Sequence, residues 1–205
     1  MPDFSFEDEC KGIVCGTDEV GRGPLAGPVV AAAVIIPHEL RKLDFIPDIG
    51  DSKKLTPKKR DYLYEKIINN FPYAIVEITP QEIDEINILQ ASLKAMKISC
   101  EQLPKIDHAL IDGNKAPALS CQVTTIIKGD SKSITIAAAS IIAKVHRDRI
   151  MAALHEKFPD YGWKNNAGYP TKEHRDAIIT HGITLHHRRS FAPVRNAINS
   201  IKSPI

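Results

Sequence analysis

The apolar positions of this chain open as two short runs, Ile13-Val14-Cys15 and Val29 to Ile36, separated by a stretch rich in glycine and proline. Runs of this length bounded by turn residues predict β-strands over 12–19 and 28–36. A loop holding Pro37, Pro47 and Gly50 follows. Thr56 and Pro57 then mark the start of a helix reaching about Asn70. Tyr73 to Thr79 predicts a third strand, and Pro80 opens more helix, in two pieces through Gln102. There Ile86, Leu89, Leu93 and Met96 fall on one face of a 3.6-residue period. Ala109 to Gly113 and Val123 to Ile127 predict two further strands. A long helix is expected over roughly 131–158, another capped by Thr171 and running to about Thr180, and a short one near Val194–Ile201. Strands joined first by a tight turn and then alternating with helices predict an α/β fold, a mixed sheet packed against helices.

At 205 residues and 43% hydrophobic content the chain can bury one substantial core. A single domain over 1–205 is expected, with about 171–205 as a small C-terminal helical extension. No run approaches the ~18 apolar residues of a membrane span, and the acidic start Met-Pro-Asp-Phe-Ser-Phe-Glu-Asp-Glu is unlike a signal peptide. Cys10, Cys15, Cys100 and Cys121 show no CxxC spacing, which reads as free thiols and a cytoplasmic protein. The net charge of +2 predicts no partner by itself. Its distribution does: basic residues gather at Lys53-Lys54, Lys58 to Arg60, Lys144 to Arg149 and His186 to Arg189, which suits a polyanion.

The chemistry concentrates where strands stop. Asp18-Glu19 runs directly into Gly21-Arg22-Gly23, setting fixed negative charge beside bare backbone amides. Asp112 in Ile-Asp-Gly and Asp130 in Lys-Gly-Asp-Ser occupy similar places. Four converging carboxylates would repel one another without cations, and an all-oxygen set favours Mg²⁺ or Mn²⁺ over zinc. Two such ions roughly 4 Å apart suit phosphodiester hydrolysis. The plainer alternative is unrelated turn acids, with Asp130 a candidate helix cap before Ser131. Side chains alternate along a strand, so Asp18 and Glu19 share one site only if the strand ends early or bulges, or if Glu19 acts through its carbonyl. The glycine turn favours an early end. Lys144 and Asp148 have the spacing of a helical ion pair, and His174, His181, His186 and His187 read as surface or phosphate-facing groups rather than metal ligands.

Taken together, these segments resemble ribonuclease HII, the type 2 ribonuclease H of bacteria. The matching stretches are 18–32, Asp51 to Leu55, Ile111 to Gly113, Lys128 to Asp130, Ala138 to Asp148, Gly168 to His174 and His187 to Phe191, in the family's order. The resemblance implies an RNase H-like fold and endonucleolytic cleavage of RNA in RNA–DNA hybrids. It also implies cleavage at ribonucleotides embedded in duplex DNA, leaving 3′-hydroxyl and 5′-phosphate ends, by a monomer. By motif position Asp18, Glu19, Asp112 and Asp130 match the family's catalytic, metal-binding acids, with Mn²⁺ or Mg²⁺ as cofactor. Gly21, Arg22 and Gly23 match its 2′-hydroxyl-sensing turn, and Tyr169 matches the residue at the ribonucleotide–deoxyribonucleotide junction. Arg22, Lys53, Lys54, Arg188 and Arg189 are expected phosphate contacts.

Overall fold

The computed structural model describes residues 1–202, so the last three residues of the expected C-terminal extension lie outside the described chain. A short helix α1 (Ser5–Asp8) leads into the hairpin β1 (Val14–Val20) and β2 (Val29–Ile35). Helix α2 (Pro57–Asn70), β3 (Tyr73–Ile78), α3 (Pro80–Ile86) and α4 (Ile88–Glu101) follow, then β4 (His108–Asp112) and β5 (Gln122–Ile126). The long α5 (Ile134–Lys157), the single-turn α6 (Trp163–Asn166), α7 (Lys172–His181) and α8 (Ala192–Lys202) complete the order. The caps at Thr56 and Thr171 act where the sequence places them, and Thr79, expected to end a strand, caps a helix as well. Thr56 accepts from the Lys59 amide, Thr79 from Glu82 and Thr171 from His174. Asn87, at a left-handed φ of 66°, divides α3 from α4, and its Oδ1 caps the Leu89 and Gln90 amides of the second helix. α1 carries no periodic signal and was not expected.

The strands form one mixed sheet in the order β3-β2-β1-β4-β5. β1 is antiparallel to β2 and parallel to β4, which is parallel to β5. All seven residues of β2 are buried, as an unbroken run of valine, alanine and isoleucine requires when both faces of a strand are covered. The first half of α5 is equally apolar, with Ile136 to Ala139 and Ile141 to Ala143 all inaccessible. Gly16 explains how that helix reaches β1: a side chain there would begin 2.4 Å from the Ile136 amide nitrogen. The start of α5 is capped by Ser133, whose Oγ accepts from the Ile136 amide, not by Asp130. Buried Glu7 of α1 also receives the Thr135 amide at 2.9 Å, a carboxylate at the positive end of the helix.

The chain divides into two compact units. One comprises Met1–Val20, Val30–Glu77 and Ser92–Val145; the other comprises Gly21–Val29, Ile78–Ala91 and from His146 onward. The first holds a cluster of Val14, Leu110, Ile126 and Ile136. The second is built around Leu25, Met151, Tyr161, Trp163, Ile178 and Val194. Among the described residues no helix is long and apolar enough to cross a membrane.

Candidate active site

The first unit gathers the acids. β1 and β4 are parallel neighbours whose last register pair is Thr17 with Ile111, so Asp18 and Asp112 stand level one step beyond it. Level residues on adjacent parallel strands share a face and a spacing of about 4.8 Å. Asp112 is the last residue of β4, and its Oδ1 accepts the Gly129 amide at 2.6 Å. That amide belongs to the turn Gly129–Ser131, which brings buried Asp130 alongside. Ser140 of α5 hydrogen-bonds to Asp18, and its Oγ lies 2.9 Å from that of Ser52. Lys53, from the same loop as Ser52, places Nζ 3.4 Å from Asp130 Oδ2.

This crowding is electrostatically expensive. Burial, then the charges of Glu19 and Asp112, push the Asp18 carboxyl well above the usual carboxylate range, against the Ser140 hydrogen bond. Burial also raises Asp112, opposed by the Gly129 amide and reinforced by Asp130. Burial works against the Lys53 ammonium, but Asp130 and Asp18 hold its pKa above the ordinary lysine value. One exposed lysine does not offset three or four carboxylates. The donor set is all oxygen and over-negative, which fits a hard divalent cation. The convergence is pairwise: among the described residues no three acidic, histidine or thiol groups stand close enough to enclose one ion.

Glu19 differs from the expectation of an early strand end. β1 continues through Val20, with Glu19 opposite Ala31 and no bulge, so its side chain lies on the face opposite Asp18. Its amide donates to Asp18 Oδ1 at 2.7 Å. In extended backbone the carbonyl of a residue points the same way as its amide, so the Glu19 carbonyl faces the Asp18 side.

The second unit contains the glycine turn and Tyr169. Gly21 has φ +94°, and a side chain on it would strike the Arg147 guanidinium 2.2 Å away. Arg147 is fully buried and donates to the carbonyls of Pro28, Ala26 and Ala167. Arg188 is also fully buried; it donates to the carbonyls of Gly27, Arg22 and Gly21. The loop before α7 is tied to the same turn, since the Leu25 amide donates to the Gly168 carbonyl at 2.7 Å. Tyr169 is half exposed, and a β-carbon on Gly23 would sit 3.4 Å from its Cε1.

A family profile described as Ribonuclease HII matches residues 15–194. The chain belongs to the ribonuclease HII family. A ribonuclease HII from Wolbachia pipientis subsp. Culex pipiens is 53% identical over 195 residues, covering 95% of this chain and 98% of that protein. The solved ribonuclease H2 of Pyrococcus horikoshii superposes with a TM-score of 0.79 at 28% identity, covering 94% of this chain and all of that one. Bst-RNase HIII in complex with Mn²⁺ superposes with a TM-score of 0.75 at 18% identity, covering 93% of this chain and 70% of that one, and shows the shared fold alone. The chain is therefore a hydrolytic endoribonuclease of the ribonuclease HII family, acting on the RNA of RNA–DNA hybrids, and its fold is RNase H-like.

Against the sequence expectations, the structure gathers Asp18, Asp112, Asp130 and Lys53 in one unit and Gly21, Arg22, Gly23 and Tyr169 in the other. Arg188 is a correction. It was expected on phosphate, but every hydrogen-bonding nitrogen it has is spent on turn carbonyls beneath the surface. His174 and His187 are likewise interior residues, not surface ones. Ser140 and Arg147 were missed. For Ser140 the signal was available: it is a polar residue inside the apolar first half of α5, where a buried group requires a dedicated partner. Arg147 gave none, because it sits in the charged stretch Lys144 to Arg149.

Proposed function

We propose that this chain cuts both continuous RNA–DNA hybrids and duplex DNA carrying a single ribonucleotide, leaving 3′-hydroxyl and 5′-phosphate ends. The level placement of Asp18 and Asp112 on adjacent parallel strands carries this reading. Asp18, Asp112 and Asp130 would hold two divalent cations, Mn²⁺ or Mg²⁺, with Glu19 adding its backbone carbonyl. When bound, such ions supply a nucleophilic water at neutral pH and neutralise charge on the leaving oxygen.

The chain's own groups do the rest. Ser140 and the Glu19 amide hold the Asp18 carboxylate in one orientation, and the Gly129 amide does so for Asp112. Lys53, most of whose side chain is exposed, offers its ammonium to a phosphate. Gly23, exposed beside Tyr169, leaves its peptide group open to a 2′-hydroxyl, which donates and accepts, while buried Gly21, its carbonyl held by Arg188, shapes the turn and exposed Arg22 supplies positive charge for the backbone. The Tyr169 ring packs against the next sugar and disfavours a further 2′-hydroxyl there. The four cysteines are free thiols, in keeping with a cytoplasmic location, and the chain is taken to act as a monomer.

Cleavage mapping on a duplex with one ribonucleotide, beside an all-deoxyribonucleotide control, tests the reading. Cutting of the first alone is expected, lost in EDTA and restored by Mn²⁺ or Mg²⁺. Equal cutting of both duplexes, or undiminished cutting in chelator, refutes it.

A further inference from the structure

Behind Tyr169 lies a closed set of hydrogen bonds whose protons can be assigned from chemistry alone. Trp163 Nε1 lies 3.0 Å from His174 Nε2, and an indole nitrogen only donates, so His174 Nε2 is an acceptor. A neutral imidazole then carries its proton on Nδ1, which lies 3.0 Å from the Tyr169 carbonyl and donates to it. His187 enforces the same pattern. Its Nδ1 receives the Thr184 amide at 3.0 Å, so its proton is on Nε2, 3.2 Å from His174 Nε2. Two donors therefore converge on His174 Nε2, and a proton there would face both of them.

Burial is the largest influence on the pair and opposes a charge on either ring. Burial lowers the His174 pKa against the Tyr169 and Gly168 carbonyls and Glu173. Burial, then His174 and His186, lowers His187 to about 3. Tyr161 stacks on Trp163 and meets the edges of His174, His181 and His187, adding apolar surface and no charge.

The outward end of this network is the Tyr169 peptide. Its carbonyl accepts from His174 and from the Thr171 amide, and its amide donates to Asn166. The ring itself is half exposed over Gly23, so its position follows its backbone and not a packed pocket. We propose that His174, through Nδ1–H, is the positioning residue that sets Tyr169 over Gly23 and thereby sets how well this enzyme selects a ribonucleotide followed by a deoxyribonucleotide. This rests on the role given to Tyr169 under Proposed function.

Two substitutions separate the ends of the imidazole. Asparagine places an amide N–H where Nδ1 stood, and glutamine places an acceptor where Nε2 stood. His174→Asn keeps the tie to Tyr169 and loses Trp163; His174→Gln does the reverse. The readout is the kcat/KM ratio between a single-ribonucleotide duplex and a continuous hybrid. That ratio falls about tenfold in His174→Gln, the worth of one buried hydrogen bond, and stays within about twofold of wild type in His174→Asn. His174→Gln added to Tyr169→Ala lowers it no further. In ¹⁵N-histidine wild-type protein, His174 reports a protonated Nδ1 and a bare Nε2. Equal ratios for the two variants, or the opposite tautomer, overturn the role of His174. A wild type that cannot cut the single-ribonucleotide duplex instead overturns the reading of Tyr169 on which it depends.

Discussion

Arg188 separates two physical pictures of the same residue, and its replacement by alanine measures which one holds. Its guanidinium makes four hydrogen bonds to three carbonyls: Gly27 from Nε and Nη2, Arg22 from Nη1 at 3.0 Å, and Gly21 from Nη2 at 2.6 Å. Burial, then the neighbouring charge of Arg147, lowers its pKa to about 9, so it is still charged at neutral pH. Removal takes the Arg188 donor from three carbonyls beneath the turn. Each loss costs ~1–3 kcal/mol, and relief of the buried charge offsets part of the sum. A net loss of about 3 kcal/mol is expected, which for a chain of this size lowers Tm by roughly 6–12 °C. A phosphate contact behaves differently. Its loss weakens hybrid binding across sequences and reduces the slope of log K against log salt by about one. Thermal melting and hybrid binding across a salt series, on one Arg188→Ala preparation, decide between them. We expect a large fall in Tm with the salt slope unchanged. An unchanged Tm with a slope shallower by about one refutes the buried-staple account.

Asp18→Asn replaces a carboxyl that resists ionisation with a neutral group of the same shape, so in EDTA it should melt several degrees above wild type while cleavage disappears; a lower Tm contradicts the electrostatic argument. Asp112→Asn should lower kcat by about a thousandfold or more while hybrid binding in Ca²⁺ stays within a few-fold, measured by single-turnover cleavage and titration. His187 titrates lower in the fold, at about 3, than its ordinary 6.5, so its contribution to stability is complete above pH 6.5 and lost as pH falls toward 3. At about pH 5 the loss is roughly 2 kcal/mol. His187→Phe should flatten that slope in chemical denaturation, and an identical slope argues against a neutral buried imidazole.

Local features were legible without coordinates. Caps at Thr56 and Thr171, the division of the helix after Pro80 into two pieces and the alternation of strands with helices depend on neighbours a few residues away, and all appear in the structure. Ile86, read onto one face with Leu89, Leu93 and Met96, instead ends the first piece, because Asn87 breaks the helix there. The position of Asp112 at the end of its strand and of Asp18 near the end of its own follow from the same short-range pattern. Where β1 stops was misread, because pairing with β2 carries it through Glu19 despite the glycines that follow.

Burial of charge was decided elsewhere. His187-Arg188-Arg189 reads as a basic run suited to phosphate, yet Arg188 is held by carbonyls 161 to 167 positions earlier in the chain. His174 lies under its own loop only because Trp163 and His187 close over it. A charged or titratable side chain costs several kcal/mol to bury unless its donors and acceptors are matched, and that match is assembled by distant segments. Sequence by itself therefore determined the elements, their order and the acids at strand ends. Tertiary structure decided which cations face solvent and which hold the turn together, because a desolvated arginine or histidine is defined by partners the local pattern does not contain.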